Sequence, residues 1–315
     1  MGALLSVSVD LDGLGCYAAI HGQEPKALDR RALQAVPVEA LGRLCALFAD
    51  LDLKATFFAI GRELDEIDGA AAAIGKAAQA GHEIGSHSWA HDYALSRLSP
   101  DSIAIDLEKA DASIEHAAGR APRGFRAPGY TISKALLSAL AARGYRYDSS
   151  LLPSPLYYAA KAAAIGLHAV RGRRSHSILG GPAQLFYGRG PRRLPVAAVK
   201  AGVGGASVSL LRELPVATLP VVRAPVIGTV LVAAPDSVGG KLLWAARAGG
   251  HVNLELHGID VLDSTDGAPP ELAAVQPGLK LPASVKLRRL KAAIAEVQRR
   301  AEAVTLEEAA GRLLP

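Results

Sequence analysis

Short apolar runs with the two-residue alternation of β-strands recur in the first half of the chain. They lie at residues 4–9, 55–60, 83–86, 124–126 and 145–148. Between them, apolar residues spaced three and four apart predict helices. These helices cover about residues 38–51, 69–80, 100–118 and 133–142. Strands that alternate with helices predict an α/β fold with a parallel sheet or barrel.

The later part of the chain continues this pattern less regularly. Apolar runs at 213–218 and 229–233 predict two further strands, and residues 283–303 predict a long final helix. That helix carries six Lys and Arg residues, Lys286 among them, which we interpret as a solvated face. Thr305 and Glu308 have the spacing of a capping box and predict one more short helix.

Composition narrows the class of protein. The chain has 315 residues, half of them hydrophobic, which is enough to bury a large core. Two cysteines cannot form a disulfide framework or a cysteine-rich zinc module. The polar N-terminal segment does not have the pattern of a signal peptide. We therefore expect a single domain over residues 1–315 with a cytoplasmic location.

Residues 149–212 contain no Asp or Glu but nine Lys and Arg, more than the net charge of +5 of the whole chain. With its tyrosines, prolines and glycines, this stretch predicts a basic insertion or lid at about 151–225. Such a lid favours an anionic partner, such as the inner face of a membrane or the phosphate of a lipid headgroup. A lid charged only for solubility is the alternative. No pattern indicates nucleic-acid binding.

Several residues with metal or acid–base chemistry end predicted strands. His87 and His91 stand four apart, and one helical turn would place both imidazoles on one side, as a divalent metal requires. Asp10 and Asp12 follow the first strand, where a two-residue period directs both carboxylates to one face. Without other candidates, a solvated strand end with an Asx turn would be the preferred explanation of these aspartates.

Three more candidates end later strands. Arg126 is placed to pair with an aspartate, His257 has the chemistry of an acid near neutral pH, and Asp148 closes the fifth strand. The carboxyl ends of parallel strands meet at one face of a βα architecture, and active sites are assembled there. The sequence therefore predicts a single site built from all these residues.

In this order, five segments resemble the motifs of the polysaccharide deacetylase family, also called NodB-like or carbohydrate esterase family 4. They are DLDG at 10–13, SHSWAH at 86–91, RGFRAPGY at 123–130, YDSS at 147–150 and LELH at 254–257. The segment LKATFFAIG at 53–61 also looks like that family's second strand. The resemblance implies a distorted (β/α) barrel of the NodB type, with the basic segment inserted between the fourth and fifth motifs.

The resemblance also implies a metal-dependent hydrolase that removes an acetyl or formyl group from an amino sugar, free or lipid-linked. By analogy, the divalent ion, Zn²⁺ or else Co²⁺, Ni²⁺ or Mn²⁺, would be held by Asp12, His87 and His91. Asp10 would be the general base with Arg126 as its partner. His257 would protonate the leaving amine, and Asp148 would favour the charged form of its imidazole. Pro128 and Tyr130 would bind substrate, the latter through its backbone N–H.

The motifs depart from the family pattern in places. Leu11 separates the two aspartates, as in a subgroup with intracellular deacylases and lipid-linked aminosugar deformylases. Glu255 stands where an apolar pocket residue is expected, which leaves an acyl group other than acetyl open. Two other functions also remain open: a deacylase of a small non-sugar amide, like allantoinase, and a catalytically silent barrel that binds a glycan or lipid.

Overall fold

The strands of the protein form a single curved sheet, in which β1 pairs with three other strands. In the computed structural model, which describes residues 2–22, 28–170, 178–181, 187–196 and 209–315, this sheet has nine strands. They are β1 (Ala3–Asp10), β2 (Thr56–Ala59), β3 (Glu83–Ser86), β4 (Gly124–Phe125), β5 (Tyr147–Asp148), β6 (Arg192–Val196), β7 (Ser209–Glu213), β8 (His251–His257) and β9 (Ala301–Ala303). Their order is β6-β7-β5-β4-β3-β2-β1-β8, and β9 pairs with the start of β1. All pairs are parallel except β6 with β7.

Helices connect the strands and cover the outer face of the sheet. They are α1 (Leu14–Ile20), α2 (Arg30–Gln34), α3 (Leu41–Asp50), α4 (Gly61–Glu66), α5 (Ala70–Gln79), α6 (Pro100–Ala118), α7 (Lys134–Ala142), α8 (Pro155–Val170), α9 (Gly228–Ala233), α10 (Asp236–Ala245), α11 (Pro270–Val275), α12 (Ala283–Gln298) and α13 (Leu306–Leu313). The α/β class is confirmed. The five strands and four helices predicted in the first half are all present, with shifted ends.

A π-helical segment, Ala35–Ala40, joins α2 and α3 into one long apolar helix. By length and composition, Arg30–Asp50 could cross a membrane, but half of its most apolar window is buried inside the protein. Val36, Leu44 and Phe48 of this helix lie in the main hydrophobic core. Its apolar character is therefore explained by packing against the sheet.

Alternation along β1 separates two buried environments. Val7 and Val9 belong to the main core, whereas Ser8 and Asp10 face the polar interior of the curved sheet. There the Arg126 guanidinium, which follows β4, donates to the Ser8 hydroxyl at 2.9 Å, and the Ser8 hydroxyl lies 3.2 Å from Asn253 Oδ1 of β8. Because these contacts join strands far apart in the sheet order, the sheet curls around this interior.

Regular strand pairing leaves the curved sheet open, with β6 and β8 as its edge strands. The segment after β7 connects β5 to β8 with backbone hydrogen bonds: Leu214 N donates to Asp148 O at 3.0 Å, and Ala217 N donates to Asn253 O at 3.0 Å. An irregular segment thus takes the place of a strand, as in a distorted barrel.

Three sequence-based element predictions were wrong. Residues 229–233 form helix α9 instead of a strand, and α12 ends at Gln298, after which Ala301–Ala303 forms β9. Packing of α9 between β8 and α12 outweighs its β-branched composition. Of the strand predicted at 213–218, only Glu213 lies in a strand, at the end of β7. The capping box of Thr305 and Glu308 is present at α13.

The interpretation of Lys286 as part of a solvated face was also wrong. This lysine is fully buried, and its ammonium donates to three carbonyl oxygens, those of Ile259, Leu262 and Gly278. It ties α12 to the turn that follows β8.

The predicted basic insertion at 151–225 contributes to the sheet itself. Strand β7 pairs in parallel with β5, and β6 pairs with β7 as an antiparallel hairpin. Helix α8 lies in the same stretch. Five of the residues on which the prediction rested lie outside the described residues: Arg171, Arg173, Arg174, Phe186 and Lys200.

Candidate active site

Three buried side chains meet just beyond the carboxyl ends of β1 and β3. Asp12 Oδ1 lies 3.2 Å from His87 Nε2 and 3.3 Å from His91 Nε2. The ring centroids of the two imidazoles are 4.9 Å apart. The structure therefore brings together the three residues predicted to bind a metal.

A tight loop, and not the helical turn expected from their spacing, brings the two histidines together. Ser88 and His91 have φ angles of 65° and 52°, in the left-handed region. His91 N donates to the Ser88 hydroxyl at 2.9 Å. From α6, the Asp106 carboxylate accepts the N–H groups of Trp89 and Ala90, both at 3.0 Å. Asp106 supports the loop and was missed because nothing local in the sequence marks it.

The donor atoms fit a divalent metal ion. Asp12 Oδ1 and His91 Nε2 are buried and have no hydrogen-bond partner among the described residues. His87 Nδ1 lies 2.7 Å from Arg126 O, a contact that requires a proton on Nδ1 and leaves Nε2 with its lone pair toward Asp12. Two imidazole nitrogens and a carboxylate oxygen are a ligand set that suits Zn²⁺.

Asp10 lies beside this group but has a different environment. Arg126 Nη1 donates to Asp10 Oδ1 at 2.6 Å, and both side chains are buried. The other oxygen, Oδ2, is 3.9 Å from His87 Nε2. Despite burial, the carboxylates of Asp10 and Glu255 hold the pKa of Arg126 above its usual value. The guanidinium is therefore a permanent charge that pairs with the Asp10 carboxylate and orients it.

His257 lies across the same cleft, at the end of β8 next to Asp10 in register. Its Nε2 is 3.5 Å from Glu255 Oε1, and its backbone N donates to Asp260 Oδ2 at 2.9 Å. Burial by itself lowers the pKa of His257, but the carboxylates of Glu255 and Asp12 outweigh burial and raise it to about 9. The imidazolium is thus favoured at neutral pH.

The expectation that Asp148 supports the His257 imidazole was wrong. Asp148 accepts a hydrogen bond from the Ser150 hydroxyl and lies opposite Glu213 in the β5–β7 register. Burial raises the pKa of both carboxyl groups, and mutual repulsion raises that of Glu213 further. This pair is therefore suited to sharing a proton. The carboxylate within ion-pair distance of His257 is that of Glu255.

The candidate groups open onto a cleft of about 370 Å³. It is lined by Asp10, Asp12, Tyr17, Ile20, His87, Tyr93, Gly129, Tyr130, Tyr157, Ala160, Lys161, Ala164, Ile165, Ile227 and His257. A larger cleft of about 780 Å³ is lined by His91 and by none of the other predicted residues. The smaller cleft therefore holds the chemistry.

The predicted substrate-binding residues need correction in detail. Pro128 is buried and does not line the cleft, whereas the Tyr130 side chain does. The Tyr130 N–H donates to Ala127 O at 3.0 Å, so this group is already paired within its turn and is not a free oxyanion donor. The Tyr130 hydroxyl donates to Glu255.

Comparisons with known proteins find similarity to polysaccharide deacetylases. The model of the polysaccharide deacetylase family matches residues 34–147. A peptidoglycan deacetylase from Helicobacter pylori is 29% identical over 150 residues, which cover 47% of this chain and 50% of that protein. The chain thus spans about half the length of this curated relative.

Solved structures share the fold at low sequence identity. A Mycobacterium smegmatis protein classed as a polysaccharide deacetylase superposes with a TM-score of 0.60 at 18% identity, covering 99% of this chain and 91% of that one. A CE4 family pseudoenzyme from Bacillus anthracis has a TM-score of 0.51 at 13% identity, covering 98% and 66%.

Fold and site together define a barrel-like α/β protein with a buried His₂Asp group at the carboxyl ends of its strands. Residues 34–147 match the polysaccharide deacetylase family, the family that the motifs of the chain resemble.

Proposed function

We propose that the protein is a metal-dependent hydrolase that removes the N-acyl group, acetyl in the first instance, from an amino sugar of a glycan. The convergence of Asp12, His87 and His91 beside the Asp10–Arg126 pair, with His257 across the cleft, carries this proposal. The family match and the peptidoglycan deacetylase relative support the substrate class.

Each side chain has a role that follows from its surroundings. Asp12, His87 and His91 would hold the ion, which when bound polarises the acyl carbonyl and lowers the pKa of water. Asp10, held in place by Arg126, takes the proton from the attacking water. His257 holds a proton at Nε2 and donates it to the leaving amine, because an amine departs poorly without one. The buried Asp148–Glu213 pair supports the strands behind Arg126 and has no direct role.

The test is release of acetate or formate from N-acyl amino sugars, measured for free oligomers, peptidoglycan fragments and lipid-linked sugars. We expect acetate release that is abolished by a chelator and restored by Zn²⁺. Turnover of small non-sugar amides alone would show that the protein is a deacylase of such amides. Glycan binding without turnover in the metal-loaded protein would show that it is a catalytically silent binding protein.

We further propose that the substrate is carried by a lipid at an anionic membrane surface on the cytoplasmic side. Helix α8 lines the cleft through Tyr157, Lys161 and Ile165, while Leu156 and Leu167 on the same helix are 54% and 50% exposed. An exposed apolar face beside a basic stretch is typical of an interfacial helix. Both cysteines are free thiols, which is compatible with a reducing compartment.

Vesicle cosedimentation tests this placement. The double variant Leu156→Glu/Leu167→Glu should lose binding to anionic vesicles and turnover of lipid-linked substrate, while turnover of soluble oligomers is kept. Ile105→Glu, at an exposed position of α6, is the matched control and should change neither. Equal binding of the wild type to neutral and anionic vesicles, or no effect of the double variant, would contradict the membrane proposal.

A further inference from the structure

We infer that Glu255 is the positioning residue of His257. Its carboxylate holds the imidazole with a proton on Nε2. The same carboxylate accepts the Tyr130 hydroxyl and so links the imidazole to the turn that contains Tyr130. This inference rests on the proposed function, since proton donation by His257 is part of that function.

The register of β8 against β1 places these groups. Ser8 pairs with Glu255 and Asp10 pairs with His257, so alternate residues of both strands face the polar interior. Glu255 is fully buried. Its Oε1 accepts the Tyr130 hydroxyl and lies 3.5 Å from His257 Nε2. One oxygen atom therefore contacts the side chains of both cleft residues.

A second buried glutamate shows what a purely structural carboxylate looks like in this barrel. Glu83 accepts the Tyr147 hydroxyl at 2.7 Å, the Thr56 hydroxyl at 2.7 Å and the Glu307 backbone N–H at 3.0 Å. Both of its oxygens are satisfied. Glu255 Oε2, in contrast, is buried without a hydrogen-bond partner among the described residues.

An unsatisfied buried carboxylate lowers stability, and an apolar residue at this position would remove that cost. Among the described side chains that contact Glu255, Tyr130 and His257 line the cleft, and the His257 side chain is 18% exposed. A carboxylate beside Nε2 favours a proton on that nitrogen and restrains rotation of the ring. The other acidic groups near the imidazole are Asp10, Asp12 and Asp260, and the last of these accepts the His257 backbone N–H.

The experiment compares Glu255→Gln with Glu83→Gln in the full chain loaded with Zn²⁺. For Glu255→Gln we expect kcat to fall by about 10–100-fold with KM changed less than about threefold. The ¹⁵N signal of His257 Nε2 should move away from the position of a nitrogen whose proton faces a carboxylate. Glu83→Gln, the matched control, should lose stability while kcat and the His257 signals stay as in the wild type.

Tyr130→Phe provides a second variant if Glu255→Gln does not fold. It removes the hydroxyl that holds Glu255 and should shift the His257 signals in the same direction, with a smaller loss of kcat. Unchanged His257 signals together with kcat within about twofold of wild type in both variants would overturn the inference. So would loss of a second equivalent of bound zinc in Glu255→Gln, because Asp10, Glu255 and His257 would then be a cation site.

The NMR measurement tests the positioning of His257 by Glu255 independently of the proposed hydrolase function. If the wild type hydrolyses no N-acyl sugar, the ring signals still decide whether Glu255 positions His257. If His257→Ala retains full activity while the signals respond to Glu255→Gln, the contact stands and the assigned acid is wrong.

Discussion

Asp10 and Asp12 are two residues apart, yet their surroundings give them different chemistry. Asp12 faces two imidazoles with an unpaired oxygen, whereas Asp10 is paired with the permanent charge of Arg126. The charge of the Asp10 carboxylate is already neutralised by a guanidinium, which disfavours metal binding. The Asp12 carboxylate faces two imidazole nitrogens, which favours a shared metal ion. The two aspartates should therefore separate in a metal-binding assay.

We predict that Asp10→Asn keeps bound zinc but loses activity by about 10²–10⁴-fold, the usual contribution of a general base. Asp12→Asn should lose the metal itself, since it removes an anionic ligand. Zinc content by mass spectrometry and acetate release together make the distinction. Loss of zinc in Asp10→Asn, with retention in Asp12→Asn, would reverse the assignment.

The pKa of His257, raised to about 9, gives the alkaline limit of activity. An acid must be protonated to act, so kcat should be level below this pKa and fall tenfold for each pH unit above it. His257→Gln should remove the alkaline limb and leave a low, flat residual rate. An unchanged limb in His257→Gln would show that another group titrates.

At the scale of elements, periodicity predicted the strands and helices of the first half because local pattern and tertiary packing agree there. They disagree at α9, where Thr229 and Val230 suggested a strand but the segment packs as a helix. They disagree again at His91, whose left-handed backbone conformation replaces the expected helical turn. In both places, contacts distant in sequence decide the local conformation, and one sequence carries no sign of them.

Lys286 offers a test of such a distant contact. Lys286→Met should lower the free energy of unfolding by about 3 kcal/mol, because two buried carbonyl oxygens and one partly buried carbonyl oxygen lose a charged donor. Lys291→Met on the same helix, where the ammonium forms an exposed ion pair with Asp50, should cost less than about 0.5 kcal/mol. Urea unfolding measures the free energy of unfolding of both variants. Equal losses would show that the hydrogen bonds of Lys286 to the three carbonyl oxygens do not stabilise the fold.

At the scale of the molecule, the site exists because the sheet curls on itself. Residues after β1, β3 and β4 and at the end of β8 meet around one cleft, and the rule that parallel strands end at one face predicts this convergence. The same rule could not assign the partner of His257. Asp148 and Glu255 both lie on strands of this face, and only the three-dimensional structure shows which one contacts the imidazole.

Neutral buried histidines should make the whole fold sensitive to acid. Burial lowers the pKa of His251, which contacts the Ser6 hydroxyl at 3.0 Å, to about 4. Since the unfolded chain binds this proton near pH 6.5, stability falls as pH drops from 6.5 toward 4, by about 2 kcal/mol between pH 7 and pH 5. His251→Asn should reduce this dependence in denaturant titrations at the two pH values. An equally steep dependence in the variant would contradict the prediction.

The most direct measurement of the central claim is anomalous diffraction at the zinc edge from crystals of the zinc-loaded protein. A single peak about 2.0–2.2 Å from Asp12, His87 Nε2 and His91 Nε2 is the predicted result. A peak elsewhere in the protein, or zinc bound without contact to these three side chains, would contradict it.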